Sequence, residues 1–167
     1  KCEFHYPEAL VSLPGYQKLP PPTEEELTAA AELVRQAKRP VILAGQGVIL
    51  SGAGRIVREF AEKTDTPIAF TLLGKGGVPE EHPLSLGMMG MHGTGQANAA
   101  IQEADLLLAF GMRFDDRVTG NIKTYAQKAK KLHIDIDASE LNKNKPAHIP
   151  VCSDVKYVLE QLNKVVQ

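Results

Sequence analysis

Short apolar runs that alternate with helical segments constrain the fold of this chain more than any other feature. The clearest runs are residues 40–44 (PVILA), 67–71 (PIAFT) and 104–110 (ADLLLAF). They are continuous rather than alternating, which is typical of strands buried on both faces of a sheet. The first two end in loops that contain glycine, and the third is followed directly by Gly111. The pattern therefore predicts parallel strands that turn sharply at their carboxyl ends.

Weaker strand signals and several amphipathic helices complete the pattern. Further strands are predicted at 131–136 and 149–152, with a brief one near 84–86. Helices are predicted at 23–38, 53–64, 95–103 and after Asp154. Strands that alternate with helices need crossover connections. We predict an α/β, Rossmann-like doubly wound three-layer sandwich with a mostly parallel sheet of about five or six strands.

Residues 1–22 differ in composition from the rest of the chain. They carry prolines at 7, 14, 20, 21 and 22 and show no sustained hydrophobic period, which predicts an extended linker or surface arm. Residues 23–167 are the predicted domain. Cys2 and Cys152 lie far apart without a CxxC pattern, so two reduced thiols are expected rather than a disulfide or a zinc site.

Charge and hydropathy exclude several classes of protein. The net charge is −1, which gives no electrostatic reason to expect nucleic acid as a partner. The apolar runs are too short to span a bilayer, so no membrane partner is expected. No secretory signal is visible, which favours a cytoplasmic protein, or an organellar one if a transit peptide was removed.

Loops rich in glycine and charge follow the predicted strands. In a doubly wound sheet such loops gather at one edge, where they form a ligand crevice. We expect five segments to converge there: 45–47, 71–74, 90–94, 111–117 and 135–137. Glycines let backbone amides approach a polyanion, and Arg113 or Arg117 suits a pyrophosphate. Asp135 and Asp137 suit ribose hydroxyls or an adenine amine. The sequence therefore predicts a nucleotide or dinucleotide site.

Each motif also has a purely structural interpretation. Gly45-Gln46-Gly47 lacks the third glycine of the usual NAD fingerprint. His92 fits a ligand contact or a solvent-facing loop residue, and the methionines at 88, 89 and 91 fit either a flat aromatic ligand or gap filling in the core. The charged run 113–117 favours a site over a solvated surface. Asp115 and Asp116 are adjacent, so they need not form a catalytic acid/base pair.

Three segments together resemble a known family. They are GMHGT at 90–94, ADLLLAFGMRFDDRVTG at 104–120 and HIDIDASELNKNK at 133–145. They are similar to the central domain of the catalytic subunit of acetolactate synthase (acetohydroxyacid synthase), a thiamine diphosphate enzyme. The similarity runs over nearly the whole chain, from YPE and LPGY near the start to CSDV at 152–155.

The resemblance implies a FAD-binding domain and assigns residues to the cofactor. The implied cofactor contacts are Gly45, Gln46, Gly47, Thr71, Leu72, Leu73, Gly90, Met91, His92, Gly111, Arg113, Asp115, Arg117 and Val118, with Asp135, Ile136, Asp154 and Val155 at the adenosine end. The implied substrate-channel or inhibitor residues are Lys75, Met91, Asp116 and Arg117. No catalytic residue and no metal ligand is implied within this chain.

The resemblance also sets expectations for the whole enzyme. That enzyme, a transferase and a flavoprotein, condenses two 2-ketoacids in branched-chain amino-acid biosynthesis. Its thiamine diphosphate and magnesium belong to flanking domains, and it is a homo-oligomer. The isolated chain is therefore expected to bind FAD, in a largely structural role, but not to catalyse. The alternatives are a non-catalytic scaffold module with an empty cleft and, less favoured because it would need a zinc site, an NAD-dependent sensor or deacetylase.

Overall fold

A computed structural model describes residue 3 and residues 19–166 of the chain. Most of the predicted arm 1–22, including Cys2, lies outside this range. Residues 19–22 are described, and they form neither helix nor strand. Among the described residues, no helix combines the length and apolar character needed to cross a bilayer.

The predicted α/β fold is confirmed as a parallel sheet between helical layers. Within residues 19–166 the sheet has six strands, in the order β3-β2-β1-β4-β5-β6. The strands are β1 Pro40–Ala44, β2 Ile68–Phe70, β3 Ser85–Met88, β4 Leu106–Phe110, β5 Lys130–Asp135 and β6 Ile149–Cys152. The chain winds outward from β1 to β3, then crosses back to β4 and winds the other way. This reversal places a topological switch point between β1 and β4, where such folds bind ligands.

Helices cover both faces of the sheet. They are α1 Glu24–Gln36, α2 Gln46–Leu50, α3 Gly54–Thr64, α4 Gly95–Glu103, α5 Asp116–Thr119 and α6 Val155–Val165, with a 3-10 turn at Leu72–Gly74. Alternate strand residues divide the core. Ile42 and Leu108 pack with α1, α3 and α6, whereas Leu43 and Leu107 pack with α4 and with the segment that follows Met112.

The first helix begins as predicted and ends earlier than predicted. Thr23 and Glu26 form the reciprocal capping box, with hydrogen bonds of 2.8 and 3.1 Å. The helix stops at Gln36 instead of Lys38. The carboxylate of Asp105, the residue before β4, accepts the Lys38 and Arg39 amides at 2.7 and 2.9 Å. These bonds hold Lys38 and Arg39 in a non-helical conformation.

Two short helices differ from the prediction, and both lie in loops at the carboxyl edge. The glycine turn after β1 continues into α2, and the charged run after β4 contains α5. In α2, no side chain caps the first turn. In α5, the Asp115 side chain caps the helix by accepting the Val118 amide at 3.2 Å. Both helices are single turns whose formation depends on tertiary contacts.

Candidate functional site

A cleft of about 920 Å³ lies across the carboxyl ends of the strands. Its walls come from loops after β1, β2, β4 and β5, from β3 and from the start of α6. This volume is near the upper end of the range for ligand pockets, roughly 300–1,000 Å³. The cleft therefore coincides with the crevice that the doubly wound topology predicts.

Most of the residues assigned from the resemblance line this cleft. Those that line it are Gln46, Gly47, Thr71, Leu72, Leu73, His92, Gly111, Arg113, Asp115, Arg117, Val118, Asp135, Ile136, Asp154 and Val155. Gly45, Gly90 and Met91 are not among the lining residues. Of the four predicted channel residues, only Arg117 lines the cleft; the Lys75 ammonium lies 3.2 Å from the Glu80 carboxylate, and Asp116 is an exposed residue in α5.

Several lining residues have no counterpart in the residues assigned from the resemblance. Leu50, Ser51 and Met112 line the cleft, as do Met88 and Met89, for which a ligand contact was one of two interpretations. Leu50 is 76% exposed on α2. Because this exposure appears only once the chain is folded, no pattern in the sequence marks Leu50 as a cleft residue.

The loops after β1 and β4 are joined by their backbones at Gly47 and Gly111. The Gly47 amide donates to the Gly111 carbonyl at 2.9 Å. A Cβ on Gly47 would lie 2.6 Å from the Gly111 Cα, and Gly111 itself has φ +55°. Side chains at these positions would force the loops apart, so glycine is what allows the two strand ends to meet under the cleft.

A second junction joins the loop after β3 to α5. The Met91 amide donates to the Arg117 carbonyl at 2.9 Å, and the Asn98 side chain binds both the N–H and the C=O of Gly90 at 2.9 Å. A Cβ on Gly90 would lie 2.4 Å from the Arg117 carbonyl oxygen. Gly90 and Met91 thus support the cleft wall from behind.

The charged residues of the cleft fall into two groups. Arg113 and Arg117 are exposed, and one nitrogen of Arg113 lies 3.3 Å from the Asp115 carboxylate. Asp135, the last residue of β5, and Asp154, which follows β6, lie at the opposite side. Burial raises the pKa of Asp135, while hydrogen bonds from Ser139 lower the pKa of the neighbouring Asp137. The cleft therefore offers cations at its centre and acids at one end.

The end of the cleft beside β2 is apolar. Leu72 and Leu73 lie on the turn after β2 and are 71% and 61% exposed. Met88 and Met89 lie on the same side, on and just after β3. Met88 is half-buried and Met89 is buried, so Leu72 and Leu73 are the side chains left in water at this end. Adjacent exposed leucines are typical of a surface that contacts a ligand or another protein.

An aromatic and histidine cluster lies beneath the floor of the cleft. The Phe114 ring packs edge-on against His133 and Tyr125, with centroid distances of 5.1 and 6.2 Å. The Nε2 atom of His133 lies 2.8 Å from the Met112 carbonyl oxygen. Burial lowers the pKa of His133 and raises the pKa of Tyr125, so both side chains are neutral near pH 7. Among the described residues, no group of three or more His, Cys, Asp or Glu side chains is arranged to hold a metal ion.

Comparisons with known proteins match most of the chain. The family model for the central domain of thiamine pyrophosphate enzymes matches residues 27–162. A probable acetolactate synthase large subunit of Methanocaldococcus jannaschii is 51% identical over 154 residues, which is 92% of this chain and 26% of that protein.

Relatives from a plant and a bacterium are also similar to nearly the whole chain. Acetolactate synthase 1, chloroplastic, of Oryza sativa is 50% identical over 94% of this chain and 24% of that protein. Acetolactate synthase of Mycobacterium avium is 43% identical over the whole chain and 27% of that protein. The chain thus spans about a quarter of the length of the curated relatives it matches.

Proposed function

The chain belongs to the family of thiamine pyrophosphate enzyme central domains, and from that premise we propose that it is the central domain of an acetolactate synthase and binds FAD in the cleft. The relatives named above are acetolactate synthases from an archaeon, a plant and a bacterium. The FAD assignment comes from the family resemblance together with the chemistry of the cleft.

The observation that carries the proposal is the order of chemical groups along one continuous cleft. The sheet order is β3-β2-β1-β4-β5-β6, so the apolar wall at β2 and β3 is separated from the acids at β5 and β6 by the glycine and arginine loops of β1 and β4. Adjacent strands lie about 4.8 Å apart, so β2 and β6 are about 19 Å apart. A ligand that contacts both ends must be long and must change from apolar to anionic to polar along its length, as an extended dinucleotide does.

The residues of the cleft fit FAD in this order. Leu72, Leu73 and Met88 would pack against the isoalloxazine ring, which is flat and largely apolar. Arg113 and Arg117 would pair with the pyrophosphate. Asp135 and Asp154 would accept hydrogen bonds from the adenosine, with Asp154 also capping α6 through the Tyr157 amide at 3.1 Å.

FAD bound here would have a largely structural role, as the resemblance implies, and would be neither oxidised nor reduced overall in the reaction. The side chains of this chain would bind and orient it. Asp115 is occupied in capping α5 and in holding Arg113, which leaves it a supporting role toward the ligand.

The proposal extends to the activity of the whole enzyme, of which this chain would be one domain. We propose that the complete protein condenses two 2-ketoacids, that its thiamine diphosphate and magnesium bind to flanking domains, and that it is a homo-oligomer. We propose a cytoplasmic location or, as for the relatives whose names include "chloroplastic", an organelle. The isolated chain should bind the flavin without catalysing the reaction.

Absorption and binding measurements on the purified chain test the proposal. A yellow preparation, or a rise in flavin fluorescence anisotropy on titration with FAD, is the expected result. FAD should also raise the melting temperature, since a ligand at 100 times its Kd adds about 2.7 kcal/mol to the free energy of unfolding. FMN is the matched control because it lacks the adenosine that Asp135 and Asp154 would contact. No thermal shift and no anisotropy change at millimolar FAD would rule out flavin binding by this chain.

A scaffold module is the second candidate, and the exposed leucines of the cleft favour it. Leu50, Leu72 and Leu73 could instead pack against another protein domain, because exposed apolar groups serve protein contacts as readily as ligands. A colourless preparation that melts cooperatively and ignores FAD would support this alternative.

A further inference from the structure

We propose that His133 is a positioning residue of the cleft, which holds the peptide between Met112 and Arg113 so that the Arg113 N–H faces the ligand. The inference rests on the proposed FAD site for the identity of the ligand. It concerns a side chain that neither lines the cleft nor belongs to the residues assigned from the resemblance.

His133 is fully buried in β5, where most neighbouring side chains are apolar. Its Nε2 atom lies 2.8 Å from the Met112 carbonyl oxygen. A carbonyl only accepts hydrogen bonds, so Nε2 carries the proton and donates it. In the neutral ring Nδ1 is then an acceptor, and it is buried with no hydrogen-bond partner among the described residues. Burying a polar ring with an unsatisfied nitrogen costs free energy, so an apolar side chain would serve better if packing were its only role. The single hydrogen bond that the ring makes goes to the cleft loop.

The peptide unit between Met112 and Arg113 connects His133 to the cleft. In a trans peptide the C=O of one residue and the N–H of the next point in opposite directions, and the chain has no cis peptide among its described residues. The Met112 C=O points down to the buried histidine. The Arg113 N–H therefore points away from it, toward the cleft that both residues line.

The neighbouring carbonyls of this loop are held in the same way. The Gly111 carbonyl accepts the Gly47 amide at 2.9 Å, and the Phe114 carbonyl accepts the Asn144 side-chain amide at 3.0 Å. Within residues 19–166 the Arg113 amide makes no hydrogen bond to the protein. Three of the four carbonyls from Gly111 to Phe114 are thus held by the protein, while the Arg113 amide is left available to bind an acceptor atom of a ligand.

The surroundings of His133 keep the ring in one orientation. Phe114 packs against it at an interplanar angle of 78°, and the Asp135 carboxylate lies 4.0 Å from Nε2, beyond hydrogen-bond distance. The Met112 carbonyl is thus the partner of the proton on Nε2. The acceptor on FAD is either a pyrophosphate oxygen or a carbonyl or nitrogen of the isoalloxazine ring.

Two substitutions separate positioning from packing. His133→Leu replaces the ring by an apolar side chain of similar size and removes the donor. His133→Gln places an amide N–H close to the position of Nε2 and restores it. Ile101→Val is the matched control, since Ile101 is buried in the same layer of the core and does not line the cleft. FAD affinity is measured by fluorescence anisotropy, and the position and fine structure of the flavin absorption bands are recorded for each variant.

We expect H133L to weaken FAD binding about tenfold, the usual effect of losing one or two hydrogen bonds in a protected site. H133Q should bind within about threefold of the unsubstituted chain, and I101V should lower the melting temperature without changing FAD affinity. Loss of ADP affinity in H133L would identify the acceptor as a phosphate oxygen. Loss for FAD and riboflavin together with a shifted flavin band, but not for ADP, would identify a ring atom. The inference is overturned if H133L binds FAD as the unsubstituted chain does, or if H133Q is as defective as H133L.

A measurement on the ligand-free chain keeps this inference distinct from the proposed function. If the unsubstituted chain binds no FAD, the proposed function fails, and NMR of labelled protein decides the role of His133. The inference holds if the Met112 carbonyl carbon and Arg113 amide signals move in H133L and return in H133Q. It fails if those signals are the same in all three proteins.

Discussion

Gly47 and Gly111 lie so close that the Cβ of any other residue at position 47 would come within 2.6 Å of the Gly111 Cα. The contact joins the loops after the two central strands, directly beneath the cleft. Because the atoms on both sides are backbone, neither can yield by changing a rotamer.

We therefore expect Gly111→Ala to destabilise the chain by about 3 kcal/mol or more, through a left-handed backbone and a backbone clash together. Gly52→Ala is the control. Gly52 also has a positive φ of +65° but has open space where a Cβ would be, so only the backbone strain of about 1–2 kcal/mol should appear. Urea unfolding of the two variants measures the difference. Equal losses would show that the close approach of the loops is not constraining.

Arg113 is expected to act on the ligand and hardly at all on stability. Its side chain is 62% exposed and pairs with Asp115 at 3.3 Å, and such exposed pairs contribute about 0–1 kcal/mol. Arg113→Ala should leave the melting temperature nearly unchanged and weaken FAD binding roughly 10-fold to 100-fold, since charge-assisted hydrogen bonds contribute about 1.5–3 kcal/mol. Arg55→Ala is the control: it removes a still more exposed cation, paired with Glu59 on α3, and should change neither property. An unchanged FAD Kd in the Arg113 variant would remove this residue from the site.

The two leucines after β2 allow a test of the apolar end of the cleft. Replacing Leu72 and Leu73 by serine should change the free energy of unfolding by less than about 1 kcal/mol, because both side chains are already mostly in water. FAD affinity should fall about tenfold, as expected when part of a leucine side chain is no longer buried by the ligand. ADP affinity should stay the same. Tyr157→Ser, at an exposed apolar residue outside the cleft, is the control. A parallel loss of ADP affinity would mean that the leucines shape the whole cleft and do not contact the ring.

Acid should destabilise the chain through His133. Burial lowers its pKa below the ordinary value of 6.5, so below that pH the unfolded chain takes up a proton that the folded chain does not. The free energy of unfolding therefore falls as the pH drops from about 6.5 toward the folded pKa, by at most about 1.4 kcal/mol per pH unit. Above pH 6.5 the histidine is neutral in both states, so it causes no loss of folding stability there.

His133→Gln should remove this part of the pH dependence, which urea unfolding at pH 7.5 and 5.5 measures in both proteins. The other shifted groups are present in both chains, and of these Asp135 is affected by the substitution, because His133 lowers its pKa. Burial and nearby lysines lower the pKa of His148, which adds loss of the same sign. The raised pKa of Asp135 acts in the opposite sense, because above pH 3.8 the folded chain binds a proton that the unfolded chain lacks. Identical pH profiles for the two proteins would show that His133 titrates alike in the folded and unfolded states.

The sequence predicted the fold and the location of the cleft because both follow from local patterns. The continuous apolar run 104–110 predicts a central strand, and Leu106–Phe110 is one. Glycines after the strands predict the loops that line the cleft. Strand alternation with helices then fixes a parallel sheet and the edge at which those loops meet.

Residues that depend on distant partners were beyond such patterns. Asp105 ends the first helix early through two amides that lie far from it in sequence. The pairing of Lys75 with Glu80 depends on the path of the loop between them. In the sequence, His133 is indistinguishable from an ordinary strand residue. Its contact with the Met112 carbonyl, 21 residues away in the chain, appears only in the structure.

The joints beneath the cleft have a consequence for how such a domain changes over evolutionary time. The contacts between Gly47 and Gly111 and between Met91 and Arg117 involve main-chain atoms. Side chains that line the cleft, such as Leu72 or Arg113, take no part in them. Substitutions that alter ligand preference are therefore largely uncoupled from those that maintain the backbone, and a lineage can exchange one bound molecule for another without first rebuilding the scaffold.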